Sequence, residues 1–454
     1  MKIAPLIFAA LALSGCAVGT DYKRPATAAP TAYTQPTPEV EIDVEHWVVL
    51  YRDPELERLI VQARKHNHNL AALYQRTLQS RSIIRRERAE RRPQLDANGS
   101  YDRARESEEL GLSGDTEDIY SGSLTLGWEL DLFGRVSRLI EAATADALAA
   151  EAAYEDLLLV TETDVAINYY RLRALEREIE AIERSVETRR ESLDIVNKRF
   201  ESGAVSDLDV AQSETLLAES EAEMFALLRS RDVREHALAV LTGQPAPDFS
   251  LQTEALTGAP VDAPVGLPSE LLKRRPDLRQ AEFALQAANA RIGVATANFF
   301  PRITIGGTAG YAALDAGDWF QNTAGFYSLG PQIRLPIFEG GRLRAELSRS
   351  EAVYAESFEL YEQAILEAFA EVEDALSGWR HLSVQRAARE RAASAAARAQ
   401  SISDQQYRNG LIDFIAALDS ERVALDAERR LAQVIGDEYE NSILLIRSVG
   451  GSWN

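Results

Sequence analysis

The side chains that most often perform chemistry are few and scattered in this sequence. Its five histidines are His46, His66, His68, His236 and His381. Residues two positions apart on a helix point to different faces, so His66 and His68 make a poor metal pair. No cysteine or carboxylate cluster completes a site beside them, and the sequence has no phosphate-binding glycine loop and no serine nucleophile elbow. We therefore predict no catalytic site, no metal site and no cofactor, and we do not expect an enzyme.

Acidic residues that follow two predicted helix turns are better candidates for binding a charged species. Asp209 follows the turn at Gly203, and Asp413 and Asp419 follow the turn at Gly410. Free amide groups and the helix dipole favour acids at a helix N-terminus, so capping is the simpler role for Asp413. Asp419 lies about two turns into its helix, where capping no longer explains it.

Apolar residues occupy the same two turns, where a solvent-facing loop is normally polar. They are Ala204-Val205 after Gly203 and Leu411-Ile412 after Gly410. These residues either contact a partner protein or close each helical hairpin on itself. We favour the partner contact.

The only cysteine, Cys16, lies at the end of a short secretory signal. Lys2 and the apolar stretch 3–13 form the charged and apolar regions of that signal. Leu13-Ser14-Gly15-Cys16 resembles a bacterial lipobox, in which the peptide is cut before a cysteine that carries lipid. Residue 17 is not the Asp that retains such lipoproteins at the inner membrane. We predict a lipoprotein of the outer membrane; the alternative is an accidental free thiol.

Charge and hydropathy argue against a nucleic-acid-binding protein and against a protein with membrane-spanning helices. The net charge of −22 over 454 residues disfavours nucleic acid as a partner, because phosphate binding needs excess Lys and Arg. No run of eighteen apolar residues follows the N-terminus, so the sequence predicts no membrane-spanning helix. Short strands that are apolar on one face only are still compatible with a membrane β-barrel.

Very long helices must position the two turns. A helical pattern runs from Pro54 to about Arg92, and a second runs from Arg135 to about Phe200 before the Gly203 turn. Seven apolar residues of the second helix are spaced seven apart: Leu158, Val165, Leu172, Ile179, Val186, Leu193 and Phe200. This heptad seam, interrupted in its companion register by Arg189, predicts a coiled coil. About 65 helical residues would span on the order of 100 Å.

The second half of the chain repeats the first at an offset of 205 to 208 residues. Pro93 corresponds to Pro301, and Gly203 corresponds to Gly410. Each half is predicted to contain a helix, two strands, a long helix, a turn and a helix. The predicted divisions are a signal peptide at 1–15, a lipid-anchored tether at 16–53, repeat 1 at 54–243, a linker at 244–268 and repeat 2 at 269–454.

Four short segments alternate apolar and polar residues and are predicted strands, at 94–102, 119–131, 301–311 and 327–335. A sheet edge left open in lipid has unpaired backbone groups, so four strands require several copies to close one barrel. Two copies give eight strands, and three give twelve with a bore. Residues suited to sharp turns lie where strands meet helices: Pro93, Gly134, Pro301, Pro336, Gly340 and Gly341.

Several motifs resemble the TolC family of outer-membrane efflux proteins, in its lipoprotein branch. They include 128–135 (WELDLFGR), 275–278 (RPDL), 299–301 (FFP) and 336–342 (PIFEGGR), in family order along nearly the whole chain. Thr20 departs from the proline common there. The resemblance implies a mainly α fold with a small membrane β part. It also implies a homotrimer with a shared 12-stranded barrel and a long α-helical coiled-coil barrel in the periplasm.

The resemblance also implies partners and roles. The channel would be an exit duct that docks a periplasmic adaptor and an inner-membrane efflux pump of the resistance-nodulation-division class. Asp419 matches an aspartate that lines the family's periplasmic aperture, with Asp413 and Asp209 as further candidates, whereas Ala416 replaces a second family aspartate. Two alternatives stay open: a secretion duct of the same fold, and a periplasmic coiled-coil scaffold lipoprotein without a barrel.

Overall fold

The computed structural model describes residues 18–26, 30–37, 46–105, 107, 109, 114–254, 256, 260–262, 265 and 268–451. Cys16 and the predicted signal peptide lie outside these residues. Most of the described residues are helical. The α-helices are α1 (Pro54–His66), α2 (His68–Ala89), α3 (Arg135–Glu201), α4 (Asp207–Leu241), α5 (Pro268–Arg274), α6 (Pro276–Ala297), α7 (Arg342–Arg408) and α8 (Phe414–Ser448).

The two halves of the chain have the same order of elements. Each has two helices, two strands, a 67-residue helix and a 35-residue helix. Equal lengths in both halves confirm the internal duplication and the mainly helical fold. The exact repeat boundaries stay a prediction.

The first predicted helix is in fact two helices separated at Asn67. The prediction of one continuous helix from Pro54 to about Arg92 was therefore wrong. The side chain of Asn67 accepts hydrogen bonds from the backbone amides of Asn69 and Leu70 at 2.9 and 3.1 Å. Its amide group donates to the carbonyl of Leu241 at 3.0 Å. An asparagine that accepts from the amides two and three residues further along is an N-cap, and α2 begins directly after it.

The four predicted strands are confirmed and form one antiparallel sheet in the order β1-β2-β3-β4. Their bounds are β1 (Gln94–Arg105), β2 (Thr116–Leu130), β3 (Arg302–Ala313) and β4 (Gly325–Arg334). β1 and β2 pair as far as Arg105↔Thr116, so both are longer than predicted. Backbone pairing continues there although the alternation of apolar residues has ended. Within the described residues, β1 and β4 each have a single neighbouring strand and are the sheet edges.

One face of the sheet is apolar and open to solvent in a single chain. Leu95, Leu124, Leu329 and Ile333 on this face are each at least half exposed. Since successive strand residues alternate between faces, Asn98, Thr125 and other polar residues occupy the opposite face.

The chain divides into two compact units, and each takes segments from both halves of the sequence. The first consists of the described residues of Met1–Thr27, Gln75–Ala152 and Gln280–Gln363. The second consists of those of Ala28–Tyr74, Ala153–Arg279 and Ala364–Asn454. The strands all belong to the first unit, and both helix turns belong to the second.

The heptad seam of α3 is buried in the second unit. Val165, Leu172, Ile179 and Val186 are all less than a tenth exposed, and Ile179 and Val186 pack with Leu227 of α4. Leu158 and Leu193 are half-buried and Phe200 is 44% exposed, so only the middle of the predicted seam is buried.

The predicted N-terminal tether is fixed to both units where the structure describes it. In the first unit, the guanidinium of Arg138 donates to the carbonyls of Val18 and Gly19 and to the carboxylate of Asp21. In the second unit, Trp47 begins a 3-10 helix (Trp47–Tyr51) and is 2% exposed. An arginine with five donors and a buried tryptophan hold segments that lack α-helix and strand.

Among the helices that the structure describes, none has an apolar stretch sufficient to cross a membrane.

Candidate functional site

The two turns between long helices have the same backbone geometry. Gly203 and Gly410 adopt φ of 70° and 72°. The amide of Gly203 donates three residues back, and the next amide donates five residues back, to Arg199. Gly410 and Leu411 make the matching bonds. This is a Schellman motif, in which the left-handed residue is normally glycine because a Cβ is strained there.

The apolar residues of these turns are on the surface or half-buried. Ala204 is exposed and Val205 is half-buried, while Leu411 is 72% exposed and Ile412 is half-buried. None is enclosed as a hairpin core residue would be. Each turn thus has one exposed and one half-buried apolar residue.

Aromatic and cationic groups join the two turns. Arg199, near the end of α3, donates to the hydroxyl of Tyr407, near the end of α7, at 2.8 Å. Its guanidinium also lies 5.4 Å from the centre of the Tyr407 ring, and this ring lies 5.5 Å from that of Phe414. The structure thus brings together the two turns that the sequence predicted separately.

Two of the three predicted aperture acids cap helices. The carboxylate of Asp413 accepts from the amide of Ala416 at 2.8 Å and caps α8. That of Asp209 accepts from the hydroxyl and amide of Ser206 at 2.7 and 2.8 Å. These hydrogen bonds from Ser206 lower the pKa of Asp209. Both acids thus have a structural role at a helix N-terminus.

Asp419 makes a contact that sequence analysis missed. Its carboxylate accepts from Arg422, one turn further along α8, at 2.7 Å, and both side chains are more than half exposed. The spacing of three residues on a helix could have indicated this pair. Asp419 also borders a groove of about 520 Å³ with Leu208 of α4 and Leu418 of α8.

The residues predicted at strand–helix junctions all lie between a helix and a strand. Pro93 and Pro301 immediately precede β1 and β3, and Pro336 follows β4. The glycines that precede α3 and α7 have positive φ: 78° at Gly134, 60° at Gly340 and 90° at Gly341.

A buried ion pair in the second unit was also missed. Arg189 of α3, which only interrupted the predicted seam, lies 3.2 Å from the carboxylate of Glu421 in α8, and both side chains are less than a tenth exposed. Ser185 donates to the same carboxylate, and Arg189 also donates to the carbonyl of Leu216 in α4. An arginine within an apolar seam was a signal that a counter-charge must lie opposite.

The predicted poor metal pair, His66 and His68, lies at the break between two helices. His66 is the last residue of α1 and His68 the first of α2, and both are exposed. Among the described residues, no three side chains of the types that bind metals lie together.

Comparison with known proteins gives one consistent family. The family model described as outer membrane efflux protein matches residues 59–244 and 267–451. Solvent efflux pump outer membrane protein SrpC of Pseudomonas putida is 32% identical, over 99% of this chain and 98% of that protein. Cation efflux system protein CusC of Escherichia coli is 29% identical, over 98% and 97%.

A solved structure shows the same fold. The outer-membrane channel OprN superposes with a TM-score of 0.88 at 30% sequence identity, and the match covers 96% of this chain and all of that one.

Proposed function

This chain belongs to the outer membrane efflux protein family, and from that membership we propose that three copies of it assemble into one exit duct. It is an outer-membrane channel component of a tripartite efflux system. Members of this family are channels, which are not enzymes.

The open sheet edges carry the proposal of assembly. Four strands leave β1 and β4 without a second neighbour within the described residues. In hydrocarbon, each unpaired backbone group costs several kcal/mol, so the edges must be joined. Pairing β4 of one copy with β1 of the next is antiparallel, like every pair within the chain, and three copies give twelve strands. The exposed apolar face then contacts lipid and the polar face lines the bore.

The apolar turns support the docking of a periplasmic adaptor that links the duct to an inner-membrane pump. Leu411 is largely exposed, and Arg199 and Tyr407 hold its turn beside the turn at Gly203. The six residues proposed to contact the adaptor are Gly203, Ala204, Val205, Gly410, Leu411 and Ile412.

The duct conducts passively, and the pump selects the substrate. The names of the relatives assign solvents to one and cations to another, although both are similar to this chain over nearly its whole length. One channel architecture thus accompanies different substrates. Both named relatives are efflux proteins, which favours an efflux duct over a secretion duct. A scaffold without a pore does not fit the channel family.

Reconstitution in planar lipid bilayers tests the proposed function. The purified full-length protein should give discrete conductance steps whose frequency rises with protein concentration. Sedimentation with lipid vesicles checks that the protein inserts. Inserted protein that gives no conductance steps would contradict a channel.

The aperture is tested by removing Asp419. Three carboxylates near one axis attract cations, so Asp419→Ala should weaken the cation preference of the pore and its partial block by a trivalent cation. Arg422→Gln should strengthen both, because the carboxylate loses its partner. Single-channel reversal potentials in a salt gradient measure the change.

Asp413→Ala is the matched control for this measurement. It removes the same charge but acts through a helix cap, so it should cost about 1 kcal/mol of stability and leave selectivity unchanged. Unchanged selectivity and block in Asp419→Ala would show that Asp419 does not line the aperture.

The lipid anchor is tested at Cys16. Because the only thiol lies in a lipobox, Cys16→Ser should abolish acylation and mislocalise or delay the protein. Mass spectrometry of the mature N-terminus, with membrane fractionation, measures both effects. An unmodified Cys16 or an uncleaved Met1 in wild-type protein would contradict lipidation.

A further inference from the structure

Two arginines face each other at one end of the sheet. Arg302, the first residue of β3, is the direct cross-strand partner of Arg334, the last residue of β4. Like charges directly opposite one another on a sheet are destabilising unless a counter-charge lies between them. Both side chains are exposed, so the pair is open to a solute.

The carboxylate of Glu129, which lies near Arg302, already binds another arginine. Glu129 accepts two hydrogen bonds from Arg135, both at 2.8 Å. It also forms a longer ion pair with Arg302 at 3.7 Å, a distance too long for a hydrogen bond. One carboxylate thus faces two arginines, and its strong contacts are with Arg135.

Two other acids line the cavity beside these arginines, and both already accept hydrogen bonds from neighbouring groups. Asp131 accepts from the amides of Val136 and Ser137 at 2.9 and 2.7 Å, which caps α3. Glu339 accepts twice from Arg342, at 2.9 and 2.7 Å. The cavity, of about 260 Å³, is lined by four arginines and three acids. Among the residues that the structure describes, none forms an ion pair or hydrogen bond with the side chain of Arg334.

The register fixes the face on which this excess positive charge lies. Thr304 pairs with Glu129 on one side and with Gln332 on the other. Residues two apart share a face, so Arg302 and Arg334 lie with these polar residues. The apolar side chains that we assign to lipid are on the other face.

We propose that Arg302 and Arg334 form a binding site for small oxyanions, a carboxylate or a phosphate group, on the polar face of the sheet. Guanidinium groups bind both anions through paired N–H donors, and an anion between the two arginines removes their repulsion. That the site opens into the bore rests on the proposed function. Three copies then give a ring of positive charge in a chain whose net charge is −22.

Inorganic phosphate tests the site in planar bilayers of phosphatidylcholine. At constant ionic strength, phosphate in place of chloride should reduce the single-channel current of the wild type. Arg334→Gln should raise the half-blocking concentration about two- to fivefold, as expected for loss of one exposed ion pair. Arg334→Lys keeps the charge, so its half-blocking concentration should lie between those of the wild type and Arg334→Gln.

The matched control is Arg344→Gln, which removes the same charge from an exposed residue of α7 outside this cavity. It should leave the phosphate effect unchanged. An equal half-blocking concentration for wild type and Arg334→Gln would overturn the proposal. The same result together with weaker association of the copies would show that Arg334 pairs with an acid of a neighbouring copy and not with an anion.

Added phosphatidylglycerol separates a solute from a lipid headgroup as the source of the anion. A phosphate effect that persists with this lipid supports the site in the bore, and an effect that the lipid abolishes overturns that placement. A wild-type channel that conducts without any phosphate effect contradicts this site alone, whereas a protein that forms no channel contradicts the proposed function.

Discussion

Glu421→Ala should lower the free energy of unfolding by about 3–5 kcal/mol, because it leaves a buried guanidinium without its counter-charge. Arg189 and Glu421 are 3.2 Å apart, and both side chains are less than a tenth exposed. The same carboxylate accepts from Ser185 at 2.9 Å. Denaturant titration of the detergent-solubilised protein, followed by far-ultraviolet circular dichroism, measures the loss.

An exposed pair between the same two helices is the control. Arg184 of α3 contacts Glu428 of α8 at 2.6 Å, but both side chains are about half exposed. Glu428→Ala should therefore cost at most about 1 kcal/mol. The double variant Arg189→Met with Glu421→Met should recover most of the stability, since no charge is then buried. Equal losses in Glu421→Ala and Glu428→Ala would contradict the account.

Gly243→Ala should destabilise the second unit by more than about 2 kcal/mol, because strain and a steric clash act together. Gly243 follows α4 with φ of 70°, where a side chain is strained. A Cβ built there would lie 2.2 Å from the carbonyl oxygen of His66 and 2.8 Å from its carbonyl carbon. These are backbone atoms of α1, so no rotamer change relieves the contact.

Gly203→Ala separates the two causes. Gly203 has the same φ of 70°, but a Cβ there would meet no atom within 4 Å. Gly203→Ala should therefore lower the free energy of unfolding by only about 1 kcal/mol, because only the left-handed backbone is strained. Thermal unfolding midpoints of the two variants in the same detergent measure the difference. Equal shifts would show that the contact with His66 carries no cost.

Periodicity predicted the regular elements of the fold because it is a local property of the sequence. The heptad spacing gave the long helix α3 to within one residue at its end, and alternation located all four strands. The break at Asn67 was missed because no glycine or proline marks it. That break depends on a side chain that accepts two amides and donates to Leu241, far away in the sequence.

The candidate site was predicted in part for the same reason. Capping by Asp413 follows from residue type and position at a helix start, and the structure confirms it. The pair between Asp419 and Arg422 is also local and could have been predicted. The contact of Arg189 with Glu421 joins residues 232 positions apart, so a single sequence cannot indicate which acid lies opposite.

The number of copies that close the sheet is the central claim, and native mass spectrometry of the detergent-solubilised full-length protein measures it most directly. We expect three copies in one particle, with no monomer that keeps the β signal in circular dichroism, because a lone chain leaves β1 and β4 unpaired. A stable monomer with the full β signal would contradict closure by shared strands, and a dimer would contradict the twelve-stranded assembly.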